Sequence, residues 1–238
     1  MNYEYSLHGR LLSYTDVLRQ TQTYEYDDYT RLKSTRLGTL CSIFDYDALG
    51  QLIRLETVDE TVGHPQRLCI DLGYDEFGRE CKRIFDLGEG RVQVLEQSFD
   101  EMDRLIQRTL KEGIDILRDE HYVYDSRSRL FEYVCSGSQA PVDPYGKSIR
   151  RQVFGFDSLD NITYVETTFE GGRNESYYEY NNFSDPCQLT ALTHSFQPDY
   201  PARLVFRYDA DGNLVSDEAG RTLSYDSLGR LSSVNVYI

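Results

Sequence analysis

The stretch Phe44-Asp-Tyr-Asp-Ala-Leu-Gly-Gln-Leu52 is one copy of a sequence motif, called the phrase below, that recurs along the whole chain. The phrase reads aromatic, any residue, aromatic, Asp, two residues, Gly, Arg, Leu. Two other clear copies are Tyr3-Glu-Tyr-Ser-Leu-His-Gly-Arg-Leu11 and Leu223-Ser-Tyr-Asp-Ser-Leu-Gly-Arg-Leu231. Further copies run over 24–32, 72–80, 97–105, 122–130, 154–162 and 206–214, and a degraded copy begins at Tyr178. Repetition at this spacing predicts a stack of one supersecondary unit, not a domain built around one site.

Each copy predicts a β-hairpin. Tyr24 and Tyr26 are two residues apart, so they project from one face of an extended segment. The Asp that follows can bond its own backbone and start a turn, and Gly three residues later supplies a left-handed conformation at no steric cost. Thr30 stands at one of these Gly positions; its branched side chain fits that region poorly and predicts a change of turn type there. The return strand, 52–58, is expected to alternate between faces.

The spacing of the copies indicates where insertions fall. The ten turn positions, from Ser6 to Asp226, are separated by 21, 20, 28, 25, 25, 32, 24, 28 and 17 residues. The residue types at the turns vary little, whereas the number of residues between successive turns varies widely. Insertions are therefore expected in the connections at the opposite ends of the strands. The segment 136–144 is the longest expected insertion. The fold class is therefore all-β, a sheet of stacked hairpins, with residues 1–238 forming a single array of about ten hairpins.

Composition excludes several classes of function. The net charge of −15 argues against nucleic acid, whose binding depends on neutralising phosphates. There is no apolar stretch long enough to span a membrane, and the N-terminus enters a repeat directly without a signal segment. The five cysteines are scattered and odd in number, which predicts reduced, mostly buried thiols in a chain made in the cytosol.

Motifs that carry chemistry are absent or better explained as repeat turns. Asp209-Ala-Asp-Gly-Asn213 resembles the start of a calcium loop, but Leu214 stands where an EF-hand requires Gly. The four histidines, His8, His64, His121 and His194, have no metal-ligand spacing. No catalytic, cofactor-binding or metal-binding residue and no cofactor are predicted, and the chain is not expected to be an enzyme.

Aromatic residues allow two interpretations. The repeated pairs Tyr3/Tyr5, Tyr24/Tyr26 and Tyr122/Tyr124 occupy equivalent positions, where cross-strand packing explains them. Aromatics outside the repeats could instead form an exposed face that binds sugars or a cell surface; the candidates are Tyr145, Phe169, Phe196 and Tyr200.

The phrase resembles the YD repeat of the RHS (rearrangement hotspot) superfamily over nearly the whole chain. The stretches Gln152–Ile162, Val165–Gly172, Asp185–Leu189, Phe206–Leu214 and Asp217–Arg221 resemble the shell region of bacterial RHS toxins and of the C component of insecticidal toxin complexes. The resemblance implies that the stacked hairpins form a curved, spiralling sheet, which in this family makes a hollow shell around a C-terminal toxin. Asp143-Pro-Tyr-Gly-Lys147 resembles the family's core signature, but Lys147 stands where Leu is expected, so an inter-repeat loop is predicted.

The resemblance implies a non-catalytic shell segment that encapsulates or scaffolds a toxin for delivery. The alternative is a cell-surface carbohydrate-binding or adhesion module. Implied partners are the remaining shell segments and an encapsulated toxin, with a toxin-complex B component or a secretion machine as further candidates. The resemblance also implies synthesis in the bacterial cytoplasm and export by a toxin-delivery or secretion system without a classical signal peptide. Ten repeats are fewer than a closed shell of this family takes, so a segment of a larger shell is expected.

Overall fold

A computed structural model describes residues 1–63 and 66–235. Its secondary structure consists of β-strands joined by turns, and the described residues contain no helix. This part of the chain therefore contains no helix that could cross a membrane. The all-β fold class expected from the sequence is confirmed.

The chain divides into two compact units, Met1–Asp119 and Glu120–Ile238, and passes from one to the other within β11, Asp115–Tyr124. In the first unit each strand pairs antiparallel with the next along the chain. These strands are β1 (Asn2–Tyr5), β2 (Leu11–Thr15), β3 (Thr21–Tyr26), β4 (Leu32–Leu37), β5 (Leu40–Tyr46), β6 (Leu52–Asp59), β7 (Gln66–Tyr74), β8 (Glu80–Asp86), β9 (Val92–Phe99) and β10 (Leu105–Glu112).

The second unit contains two such antiparallel ladders. The first consists of β12 (Leu130–Ser136), β13 (Ile149–Phe156), β14 (Ile162–Phe169), β15 (Gly172–Glu179), β16 (Ala191–His194) and β17 (Arg203–Val205). The second consists of β18 (Arg207–Tyr208), β19 (Leu214–Ser216), β20 (Thr222–Tyr225) and β21 (Leu231–Asn235). Hydrophobic burial is concentrated in this unit, for example at Tyr133, Cys135 and Ile149.

The sheet of the first unit has two chemically different faces. On one face an apolar row crosses four strands, because Phe44 lies opposite Leu55, Leu55 opposite Ile70, and Ile70 opposite Phe85. The other face carries ion pairs across strands. There the Arg67 guanidinium contacts Glu56 at 2.5 Å and Asp86 at 3.0 Å. At this exposure such cross-strand pairs contribute more to register than to stability.

The return strand departs from the simple alternation expected of it. Tyr46 lies opposite Leu52, but Asp45 lies opposite Arg54, so Ile53 is an extra residue in a β-bulge. As a result Leu52 and Leu55 face the same side although they are three residues apart. The same shift occurs one hairpin earlier, between Glu25 and Tyr26. The alternation expected over 52–58 is therefore interrupted once, at the bulge directly after the turn, and is regular from Arg54 onward.

The turn at Thr30 does not change type. Thr30 has φ 74°, beside 86° at the equivalent Gly50, and both turns close with the same backbone hydrogen bonds. Asp103, Ser128 and Asp160 are also left-handed at this position. The expected change at Thr30 was wrong because the contacts of the turn impose the left-handed conformation on a residue that disfavours it.

Thr30→Gly is expected to stabilise the protein by about 0.5–1 kcal/mol. The substitution removes the strain of a left-handed branched residue, which exceeds the added backbone entropy of Gly in the unfolded chain. Urea unfolding of the two proteins measures the difference. Gly50→Thr is the matched reverse change and should destabilise; a loss of stability in Thr30→Gly would contradict the explanation.

Candidate functional site

The Asp of most repeats organises its turn through both carboxylate oxygens. In the copy at Asp27, Oδ1 accepts the backbone N–H groups of Tyr29 and Arg31, each at 2.9 Å. Oδ2 accepts the Arg31 Nε–H at 2.7 Å. The same three bonds recur at Asp75, Asp100, Asp125, Asp217 and Asp226. The carboxylate therefore acts as the structural centre of the turn.

Three further turns of this type occur outside the ten turn positions identified in the sequence. Asp16, Asp143 and Asp217 accept the same pair of backbone N–H groups at the opposite ends of the strands. Asp143-Pro-Tyr-Gly-Lys147 is thus a repeat-type turn between β12 and β13, in keeping with the inter-repeat loop predicted there. The turn at Asp16 was missed because Val17 and Arg19 depart from the phrase; only the Asp itself could have signalled it.

Where the second aromatic of the phrase is a tyrosine, its hydroxyl commonly bonds to the hairpin before it. Tyr46 donates to the Leu32 carbonyl at 2.9 Å, and Tyr74 donates to the Leu52 carbonyl at 2.7 Å. The other bonds of this kind are Tyr26 to Leu11, Tyr180 to Ile162, Tyr208 to Leu189 and Tyr225 to Leu214. The degraded copy keeps this bond through Tyr180, although the chain at Asn181 does not form the Asp-type turn. The second tyrosine of the phrase is therefore an inter-repeat connector.

The arginine of the phrase reaches forward to the next repeat. The Arg31 guanidinium lies 4.5 Å from the centre of the Tyr46 ring and donates to the Asp47 carbonyl. Arg79 lies in the same way over Phe99, and Arg129 over Phe156. Each arginine thus joins its own turn Asp, the next aromatic ring and the next turn. Sequence reasoning gave this arginine no role, although its place directly after the Gly position was the available signal.

The carboxylates of the turns are held ionised by their partners. The pKa of Asp100 lies below its ordinary value, first because the Arg104 backbone N–H donates to it; burial opposes this, and the Arg104 guanidinium adds to it. Asp125 has a lowered pKa for the same reason, led by the backbone N–H of Arg129. These groups bind protons less readily when folded than when unfolded.

The free energy of unfolding is therefore expected to fall on acidification below about pH 4. A lowered folded pKa gives stability that is complete above the unfolded value of about 3.9 and is lost as the pH drops through the folded value. Urea unfolding from pH 7 to pH 3 measures this slope, and Asp100→Asn should make it shallower. A stability that stays level or rises toward pH 3 would overturn the assignment.

Removal of one connecting hydroxyl is expected to cost about 1 kcal/mol in the free energy of unfolding. Tyr46→Phe keeps the ring under Arg31 but leaves the Leu32 carbonyl without its donor. Tyr29→Phe is the control, since Tyr29 is an exposed turn residue whose ring, not its hydroxyl, contacts Arg31. Equal effects of the two substitutions would show that the hydroxyl bond does not stabilise the repeat.

The candidate metal and catalytic positions lie apart. Asp209 forms a repeat turn with Asp211 and Asn213, as predicted, and not a calcium loop. His8 is exposed in a turn, His121 is exposed on β11, and His64 lies outside the described residues. Among the residues described, no cluster of three metal-ligating side chains occurs. Cys69 and Cys135 are buried thiols, while Cys187 is exposed.

The four aromatics proposed as an exposed binding face come together, but as a packed cluster. Tyr145 lies 4.6 Å from Tyr200 between ring centres, and Phe169 lies 5.1 Å from Phe196. Tyr200 and Phe169 are only 3% and 5% exposed. Two of the four rings are thus buried in the second unit and do not form an exposed face.

No protein-family model matches the sequence, and no curated protein matches it either. Solved structures do match it. The chain superposes on a crystal structure of TcdB2-TccC3-Cdc42 with a TM-score of 0.72 and 17% identity, over 98% of this chain and 14% of that one. The fold is shared with toxin complexes.

Two other matches are of the same kind. TcdB2-TccC3 without its hypervariable C-terminal region gives a TM-score of 0.70 at 15% identity, and the Photorhabdus luminescens Tc holotoxin pore gives 0.68 at 17%. In both cases the match covers 97% of this chain and 14% of the other. The expected resemblance to the shell of a toxin-complex C component is confirmed at the level of the fold. The chain spans about a seventh of the length of the structures it matches.

Proposed function

We propose that this chain is a non-catalytic segment of an RHS-type shell that encloses or scaffolds a toxin. The observation that carries the proposal is the repeated connection between hairpins: the turn Asp accepts the same two backbone N–H groups from copy to copy, and in most copies a tyrosine hydroxyl or an arginine contacts the neighbouring hairpin. A repeated surface suits a structural wall. A reaction centre would instead require one copy to carry catalytic residues that its neighbours lack. The fold shared with toxin complexes supports the same role.

The abundant carboxylates support a structural role through what they contact. Each turn Asp accepts two backbone N–H groups, and most also bind a guanidinium. A general acid or base must instead present a carboxyl group to a substrate. The repeated Asp residues are engaged in holding the turns.

The partners in this proposal are further segments of the same shell and an enclosed toxin. A toxin-complex B component or a secretion machine would be the contact for delivery. Synthesis in the bacterial cytoplasm and export without a classical signal peptide belong to the same proposal. The alternative, a carbohydrate-binding or adhesion module, is less well supported because the four aromatics that would form its face pack against one another.

The test is the natural product in its source cells, detected with an antibody against this segment and probed by limited proteolysis. The proposal predicts a species much larger than 27.7 kDa, with a downstream region that resists protease until the shell is denatured. A denatured sample of the same product is the matched control. A product of 27.7 kDa that protects no other polypeptide would contradict the proposal.

A further inference from the structure

The second unit contains a cavity of about 360 Å³ with aromatic walls. Four rings line it, from Tyr145, Tyr178, Tyr200 and Phe206, and leucines fill the spaces between them. The volume is at the lower end of the range of about 300–1,000 Å³ found for small-molecule sites. Space and apolar surface are therefore available for a ligand of modest size.

The charge of the lining has one sign. Asp143 and Glu218 contribute carboxylates, while no lysine or arginine occurs among the described residues that line the cavity. The pKa of Tyr145 is raised by burial and then by the negative charges of Glu218 and Asp143. A cation is thus favoured inside the cavity and an anion is disfavoured.

His194 adds a neutral polar group to this wall. It is only 9% exposed, and burial lowers its pKa although the Asp143 charge acts in the opposite direction. Asn174 Oδ1 accepts the Phe196 backbone N–H at 3.1 Å, so Asn174 Nδ2 must donate to His194 Nδ1 at 2.9 Å. The imidazole proton therefore resides on Nε2, which has no hydrogen-bond partner among the described residues.

The same unit already holds one alkylammonium group against two further aromatic rings, which do not line the cavity. The Lys147 Nζ lies 5.6 Å from the centre of the Phe169 ring and 5.9 Å from that of Phe196, and it pairs with Asp199. Aromatic rings attract cations through the negative potential of their faces, most strongly where water is excluded. Other aromatic rings and other carboxylates line the cavity, and among the described lining residues there is no side-chain cation.

We propose that this cavity binds a small organic ammonium ion. The rings of Tyr145, Tyr178 and Phe206 enclose the cation, and Glu218 at the exposed rim balances its charge. Such a site is independent of the shell function and can exist whether or not the chain encloses a toxin.

The test is a titration of the full chain with choline, monitored by calorimetry and by the NMR shift of His194 Nε2. The neutral isostere 3,3-dimethylbutan-1-ol is the matched probe, since it has the same shape and hydroxyl without the charge. Choline is expected to bind at least about tenfold more tightly, because charge attraction and cation–π contacts are lost in the isostere. Benzoate, an anion, should not compete.

Two variants locate the site. Tyr145→Leu should weaken choline binding by about 2- to 30-fold, the range of a single cation–π contact. Glu218→Gln, at an exposed position that should not disturb folding, should weaken it by a smaller factor and reduce its salt dependence. Asp211→Asn removes an exposed charge elsewhere in the unit and should change nothing. Equal binding of choline and its isostere, no binding of either, or equal effects of Glu218→Gln and Asp211→Asn would each refute the proposal.

Discussion

The contact between the second aromatic of the phrase and the preceding hairpin is the interaction on which the rest of the structure depends: a tyrosine donates its hydroxyl to a carbonyl there, and a phenylalanine lies under an arginine. A lone hairpin is at best marginally stable in water. In this chain Tyr46 fixes its own hairpin to Leu32, and the Arg31 guanidinium covers the Tyr46 ring from the preceding turn. Each repeat therefore gains stability only when its neighbour is present, which makes the array cooperative between adjacent copies.

Much of this fold could be predicted from the sequence because its determinants are local. The Asp turn, the left-handed Gly and the shared face of Tyr24 and Tyr26 all follow from residue type and spacing. The bulge at Ile53 could not be predicted, since it depends on which residue of the opposite strand pairs with Leu52. The prediction at Thr30 was wrong for a related reason: the contacts of the surrounding turn outweigh the backbone preference of a single residue.

The chemistry outside the repeats could not be anticipated in the same way. Asp143, Asn174, His194 and Tyr200 are far apart in sequence, and only the pairing of β15 with β16 and the segment after β16 bring them together. The aromatics expected to form an exposed face instead pack around this point. Repetition explains the stacked hairpins, while the cavity proposed to bind a cation lies where the repeat pattern is interrupted.

The most direct test of the account is residue-level hydrogen exchange of the full chain. The amide that follows the Gly position, as in Gln51 or Arg79, donates to the turn Asp. Slow exchange is predicted at this amide in every repeat that keeps the Asp, in step with the flanking strands. If these amides exchanged as fast as in an unfolded chain while the strands stayed protected, the turn and its tyrosine connection would not be what holds the repeats together.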